Sequence, residues 1–285
     1  MELTTTYVML FGAAEALGLL LILLVGQRLL APAHTIAKDL AAGNTAHGLL
    51  EVGEVLGIFL IAGSVVSNSV TGASLSRDIL WASVFGVASL ALFIATGRLG
   101  ISVLMRSKLP QEIERGNVAA GLAAGASYIA TGIITSRSVA GSDLRGLGLS
   151  LAFFVIAQLT LHLVIIAFRA LTAYDDAEQI QSENLAAAVS YAGLTIAVAL
   201  IIGRALEGDF VNWATSLAGY GKALLFVVAL YPVRQILVQM AFLGGGFSFH
   251  KGSLDQAIEE RRNTGAAALE AASYIATALL VARLG

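Results

Sequence analysis

His47, Glu51 and Glu54 stand at i, i+4 and i+7, and at about 100° per residue on a helix these three side chains fall on one face. A stripe of that composition can pass protons, hold a cation, or ligate a metal ion through imidazole and carboxylate. Glu270 opens a second stripe with Ser273, Tyr274 and Thr277. Glu15, Gln158, His162 and Lys222 are further polar side chains set inside apolar stretches. An ionisable group at a bilayer centre costs at least about 2.5 kcal/mol, so each needs a partner, a wet cavity or a reach to the interface.

The elements that must position these groups are membrane helices. The 285 residues are 57% apolar and 13% charged, with a mean hydropathy of +0.82, whereas soluble domains carry about 25% charged residues. The apolar residues gather into blocks about as long as the ~20 residues that span a hydrocarbon layer. These predict an all-α polytopic fold of eight transmembrane helices near 5–30, 45–68, 79–104, 117–137, 147–172, 185–206, 213–242 and 264–284. The first block is too long for the apolar core of a cleaved signal and is read as a helix. The charged segment Asp255 to Arg262 predicts an interfacial helix leading into the last span. No cysteine is present, which removes disulfides and thiolate chemistry. Basic residues flank the helices instead of forming a nucleic-acid-binding stripe, so no nucleic-acid partner is expected. No set of nucleophile, base and orienting group can be read, which makes an enzyme the least favoured class.

An internal repeat shows when the even helices are aligned on Asn44, Asn117, Asn184 and Asn263, giving NTAHGLL, NVAAGLA, NLAAAVS and NTGAAAL. Asparagine there can cap a helix, and the small residues after it let a neighbouring helix come close. Ser-Tyr-Ile-Ala-Thr recurs at Ser127 to Thr131 and Ser273 to Thr277, so two four-helix halves, 1–142 and 143–285, are expected. Each hairpin crosses twice, so all copies share one orientation, unlike the inverted repeats of many transporters. The odd helices end on Arg28, Arg98, Arg169 and Arg234, and their connectors also carry Lys108, Arg115, Arg261 and Arg262. Basic residues favour the cytoplasm, so odd-to-even connectors are expected there and both termini outside.

Glu15, Gln158 and Lys222 lie 13, 11 and 12 residues before their helix-end arginines, roughly 18 Å along a helix, near the midplane. Glu51, Glu54, His162 and Glu270 fall in a shallower layer. Four glutamates, two histidines, a glutamine and a lysine are thus expected to share the bundle interior.

The repeated hairpin, with entries such as Gly116-Asn117-Val118-Ala119-Ala120-Gly121, resembles the YjfL-like bacterial inner-membrane proteins classed as domain of unknown function 350, over nearly the whole chain and as two tandem copies. That resemblance implies an inner-membrane location, and partnership with phage-shock-type membrane-coat proteins and ATP-grasp enzymes in membrane stress or the envelope. His47, Glu51 and Glu54 depart from the small-residue pattern, since the second repeat has Ala120, Ala124 and Ser127 in their places.

Three readings of the polar groups stay open. One is a proton- or cation-conducting channel or transporter along Glu15, His47, Glu51, Glu54, Gln158, His162, Lys222 and Glu270, with a bound cation as its cargo. A second is a non-transporting scaffold in which these groups are packing pairs, and in which Lys108, Arg115, Arg261 and Arg262 hold a coat protein or anionic lipid. A third is a metal site made by His47, Glu51, Glu54 and His162. The bilayer is the one partner all three share, and association with further copies of the chain is compatible with each.

Overall fold

The computed structural model of the protein describes residues 2–30, 36–72, 74–104, 106, 108–248 and 251–284; the side chains of residues 2–4, 27–30, 98, 101–104 and 284 lie outside the description. Those of Arg28 and Arg98 are therefore not placed. Eight helices long and apolar enough to cross a membrane are present among the described residues. They are α1 (Glu2–Leu30), α3 (Thr45–Ser69), α4 (Leu75–Leu104), α6 (Val118–Ser138), α7 (Leu144–Arg169), α9 (Leu185–Ala205), α10 (Trp213–Phe242) and α12 (Thr264–Leu284).

Before each even-numbered span stands a short helix: α2 (Ile36–Ala41), α5 (Leu109–Glu114), α8 (Asp176–Gln181) and α11 (Ser253–Glu259). Only the last of these was expected. Each ends in a residue of positive φ, namely Gly43, Gly116, Glu183 and Arg262, and the next residue is the repeat asparagine. Its side-chain oxygen accepts from the backbone N–H of His47, Ala120, Ala187 or Ala266 and so caps the following helix.

The same asparagines also join the repeats. Nδ2 of Asn44 donates to the Ile113 carbonyl, that of Asn117 to Ile180 and that of Asn184 to Ile258, each at 2.8 Å. Each of the first three repeats is thereby pinned to the short helix of the next. Above these bonds the four even spans lie in a row, α3 on α6, α6 on α9 and α9 on α12. Their small residues allow it: a Cβ on Gly53 would fall on the backbone of Gly125, and one on Gly193 would fall on Ala271. The odd spans α4, α7 and α10 each rest between their own even helix and the one before it, while α1 packs on α3 and α4. Leucine, isoleucine and valine on their outer faces are left for lipid, as with Leu17, Leu21, Leu159 and Leu163.

In α10 the missing N–H of Pro232 breaks the regular ladder. The helix tightens to a 3₁₀ turn over Leu225–Ala229 and widens to a π register over Val233–Phe242. That wider register turns Arg234, Gln235, Val238 and Gln239 together toward the interior.

Candidate functional site

The polar residues expected to share one interior divide into separate sites. At the connector end of the first repeat, the His47 ring is held between two carboxylates, with Nδ1 2.6 Å from Asp39 Oδ2 and Nε2 3.2 Å from Glu51 Oε1. The acids lie on opposite ring nitrogens, so they do not converge on one point. Glu54, a turn deeper on α3, is buried. His162 is elsewhere, against Gly100 of α4 and 3.3 Å from the amide of Gln158, whose Nε2 also reaches Thr131 Oγ1 at 3.4 Å. The void beside His162 is about 10 Å³, room for one water at most, since a water needs roughly 10–15 Å³. Among the described residues no three histidine, cysteine, aspartate or glutamate side chains are grouped to hold a metal ion. His47, Glu51, Glu54 and His162 are therefore not brought together as a ligand set.

Glu15 faces a different cavity, of 260 Å³, between α1 and α4. Both its carboxyl oxygens are buried without a hydrogen-bond partner, and the surrounding wall is almost wholly apolar. Lys222 does not join any of these glutamates. It is exposed from α10 into a third cavity, of 490 Å³, with Arg137, Arg204, Glu207 and Asp209. Neither the His47–Glu51 pair nor Glu270 lines any of these cavities.

Glu270 belongs to a deeply buried charged group among the described residues, one that the spacing of residues did not reveal. Arg234 is 1% exposed. Its Nε donates to Glu270 Oε1 at 2.6 Å and its Nη2 to Asp255 Oδ1 at 2.5 Å, while Tyr274 Oη donates to Glu270 at 2.8 Å. Arg169 makes the corresponding clasp one repeat earlier, with Asp176 of α8 and, at 3.4 Å, Ser190 of α9. Its guanidinium also lies 5.6 Å from the Tyr174 ring centroid and 6.0 Å from that of Tyr191. Burial pushes the Asp176 carboxyl up to about 6, against the lowering pull of Arg169. Both helix-end arginines thus bind their own connector helix and even span from inside. One sequence signal pointed there, because Asp176 and Asp255 each stand eight residues ahead of a capping asparagine.

The basic connector residues are largely turned onto neighbouring repeats. Arg115 pairs with Glu112 and with Glu183 and donates to the Gln181 carbonyl at 2.6 Å. The Glu112 hydrogen bond holds the guanidinium more firmly protonated than an ordinary arginine. Arg262 reaches the Ser182 carbonyl from the other side at 3.1 Å, and Arg106 pairs with Asp175. Lys108 comes within 3.5 Å of Gln181 Oε1. Lys38, Lys251 and Arg261 are exposed. All these contacts gather at one end of the bundle, whereas Ser69 to Gly141 and the Arg137–Glu207–Arg204 bridge mark the other.

The family model described as Domain of Unknown Function (DUF350) matches residues 2–139 and again residues 142–284. The chain is also similar to a UPF0719 transmembrane protein of Aquifex aeolicus (strain VF5), 25% identical over 209 residues, which cover 73% of this chain and 75% of that one. No solved structure matches.

Proposed function

The chain belongs to the Domain of Unknown Function 350 family as two tandem copies, and on that premise we propose that it is a non-transporting scaffold of the bacterial inner membrane whose connector face recruits a peripheral coat protein. The observation that supports this reading most is how the buried charges are spent. Arg169 and Arg234 each fasten an odd span to the connector helix and even span of its own hairpin. Such pairs join elements, and none of them lines the cavities described above.

The connector face is the working surface in this reading, with its cytoplasmic side given by the basic bias of the connectors. Four short helices, tied by the asparagine bonds and by Arg115 and Arg262, form a continuous platform. The side chains left outward are the cations Lys38, Lys108, Lys251 and Arg261 beside the acids Glu114, Glu178 and Glu260, which suits a partner surface carrying both signs. The occupant that the family resemblance implies is a phage-shock-type coat protein, with an ATP-grasp enzyme as the other candidate. The test is flotation of a purified coat protein of that type with proteoliposomes of zwitterionic lipid, which contributes no charge of its own. Coflotation should weaken about tenfold for the Lys108→Met, Lys251→Met, Arg261→Met triple variant. Equal flotation with protein-free vesicles would defeat the reading.

A proton- or cation-binding role is favoured by one observation, the buried and unpartnered carboxyl of Glu15. In that reading a hydrophobic carbodiimide labels Glu15, and proton flux into proteoliposomes disappears in Glu15→Gln.

A further inference from the structure

We propose that the 490 Å³ cavity at the terminus-bearing end of the second half binds an anionic amphiphile through its phosphate headgroup, with Lys222 and Arg204 as the donors and an apolar wall for the acyl portion. The cavity lies between the ends of α6 and α9, the outer parts of α7 and α10, and the loop that joins α9 to α10. Its size is within the roughly 300–1,000 Å³ range of small-ligand pockets.

Three donors in this cavity lack acceptors, the buried Tyr220 hydroxyl among them. Glu207 bridges Arg137 at 2.5 Å and Arg204 at 2.6 Å, yet Arg204 Nε remains buried without a hydrogen-bond partner. The Lys222 ammonium makes no ion pair or hydrogen bond among the described residues. Lys222 stands nine residues beyond Trp213, the first residue of α10, or about 14 Å along the helix. At that depth an uncompensated ammonium is costly, and an anion beside it offsets the cost. Within the cavity the cations Arg137, Arg204 and Lys222 outnumber the acids Glu207 and Asp209, so the surplus charge is positive. Phe153, Ile201 and Phe226 supply the apolar wall. The first repeat could not build the same site, because the place of Arg137 and Arg204, twenty residues after the asparagine, is taken by Ser64.

This site is independent of the scaffold reading, since it lies at the opposite end from the connector platform. Binding of phosphatidylglycerol, phosphatidylcholine and inorganic phosphate to the full chain in detergent tests it, by native mass spectrometry and by the thermal unfolding midpoint. Phosphatidylglycerol should be retained in preference to phosphatidylcholine on the unmodified protein. Its half-saturating concentration should rise about tenfold in Lys222→Met, return in Lys222→Arg, and be unmoved in Arg145→Met on the same face. Equal retention of the two lipids, or equal titration of Lys222→Met and the unmodified protein, would overturn the proposal. So would inorganic phosphate reproducing the whole effect, because the acyl portion would then contribute nothing. The lipid comparison on the unmodified protein decides the matter even if Lys222→Met does not fold.

Discussion

Glu270→Ala separates a structural charge from a conducting one. In the folded chain Glu270 is fully buried and accepts from Arg234 at 2.6 Å and from Tyr274 at 2.8 Å. Removing one member of a buried ion pair costs about 3–5 kcal/mol, because the remaining charge stays out of water. The Tyr274 hydroxyl, with no exposure of its own, loses its acceptor as well, which adds to the cost. Asp255 still holds Arg234 at 2.5 Å, which places the total near the lower end, about 3 kcal/mol. That corresponds to roughly a hundredfold shift in the unfolding equilibrium. Glu270→Gln keeps an acceptor for both donors and should cost about half as much. Replacing the whole group, Arg234→Met with Asp255→Leu and Glu270→Leu, should return stability to within about 2 kcal/mol, since a buried ionic group and a well-packed apolar one are often equivalent. The assay is reversible unfolding in mixed micelles, followed by tryptophan fluorescence. A Glu270→Ala variant within about 1 kcal/mol of the unmodified chain would refute the reasoning and return Glu270 to the list of path residues.

The repeat junctions make further predictions. Asn184→Ala removes a helix cap worth about 1 kcal/mol and leaves the Ile258 carbonyl without its donor, for a total of about 2–4 kcal/mol. Asn263 caps α12 but joins no later repeat, so Asn263→Ala should cost only the cap, and micelle unfolding compares the two. Gly53→Val should drive α3 away from the Gly125 backbone and prevent a stable bundle. Gly63→Ala, where nothing lies within 4 Å, should be tolerated or should stabilise by up to about 1 kcal/mol through helix propensity; size-exclusion profiles and thermal midpoints report both.

The membrane spans were legible because a block of some twenty apolar residues has few other uses, and the capping asparagines were legible because they recur four times in one setting. The connector helices α2, α5 and α8 were not, since IAKDLA, LPQEIE and DAEQIQ are too short to show a helical period. The facing of single charges was also hidden. Arg234 and Lys222 both sit on α10, yet the first is turned inward by the π register after Pro232 and the second points into an outer cavity. Spacing along one helix showed that His47 and Glu51 share a face, but the partner Asp39 comes from the preceding short helix. Arg115 and Arg262 read as free cations because their acceptors at Gln181, Ser182 and Glu183 lie 66 to 80 residues away in sequence.

The claim that the buried charges fasten the hairpins and line no route is tested most directly by proton and potassium flux into proteoliposomes, for the unmodified chain beside Glu15→Gln, Glu54→Gln and Glu270→Gln. The result expected is flux at the rate of protein-free vesicles in all four. Flux well above that rate in the unmodified chain, abolished by any of the three substitutions in a protein that still folds, would contradict it.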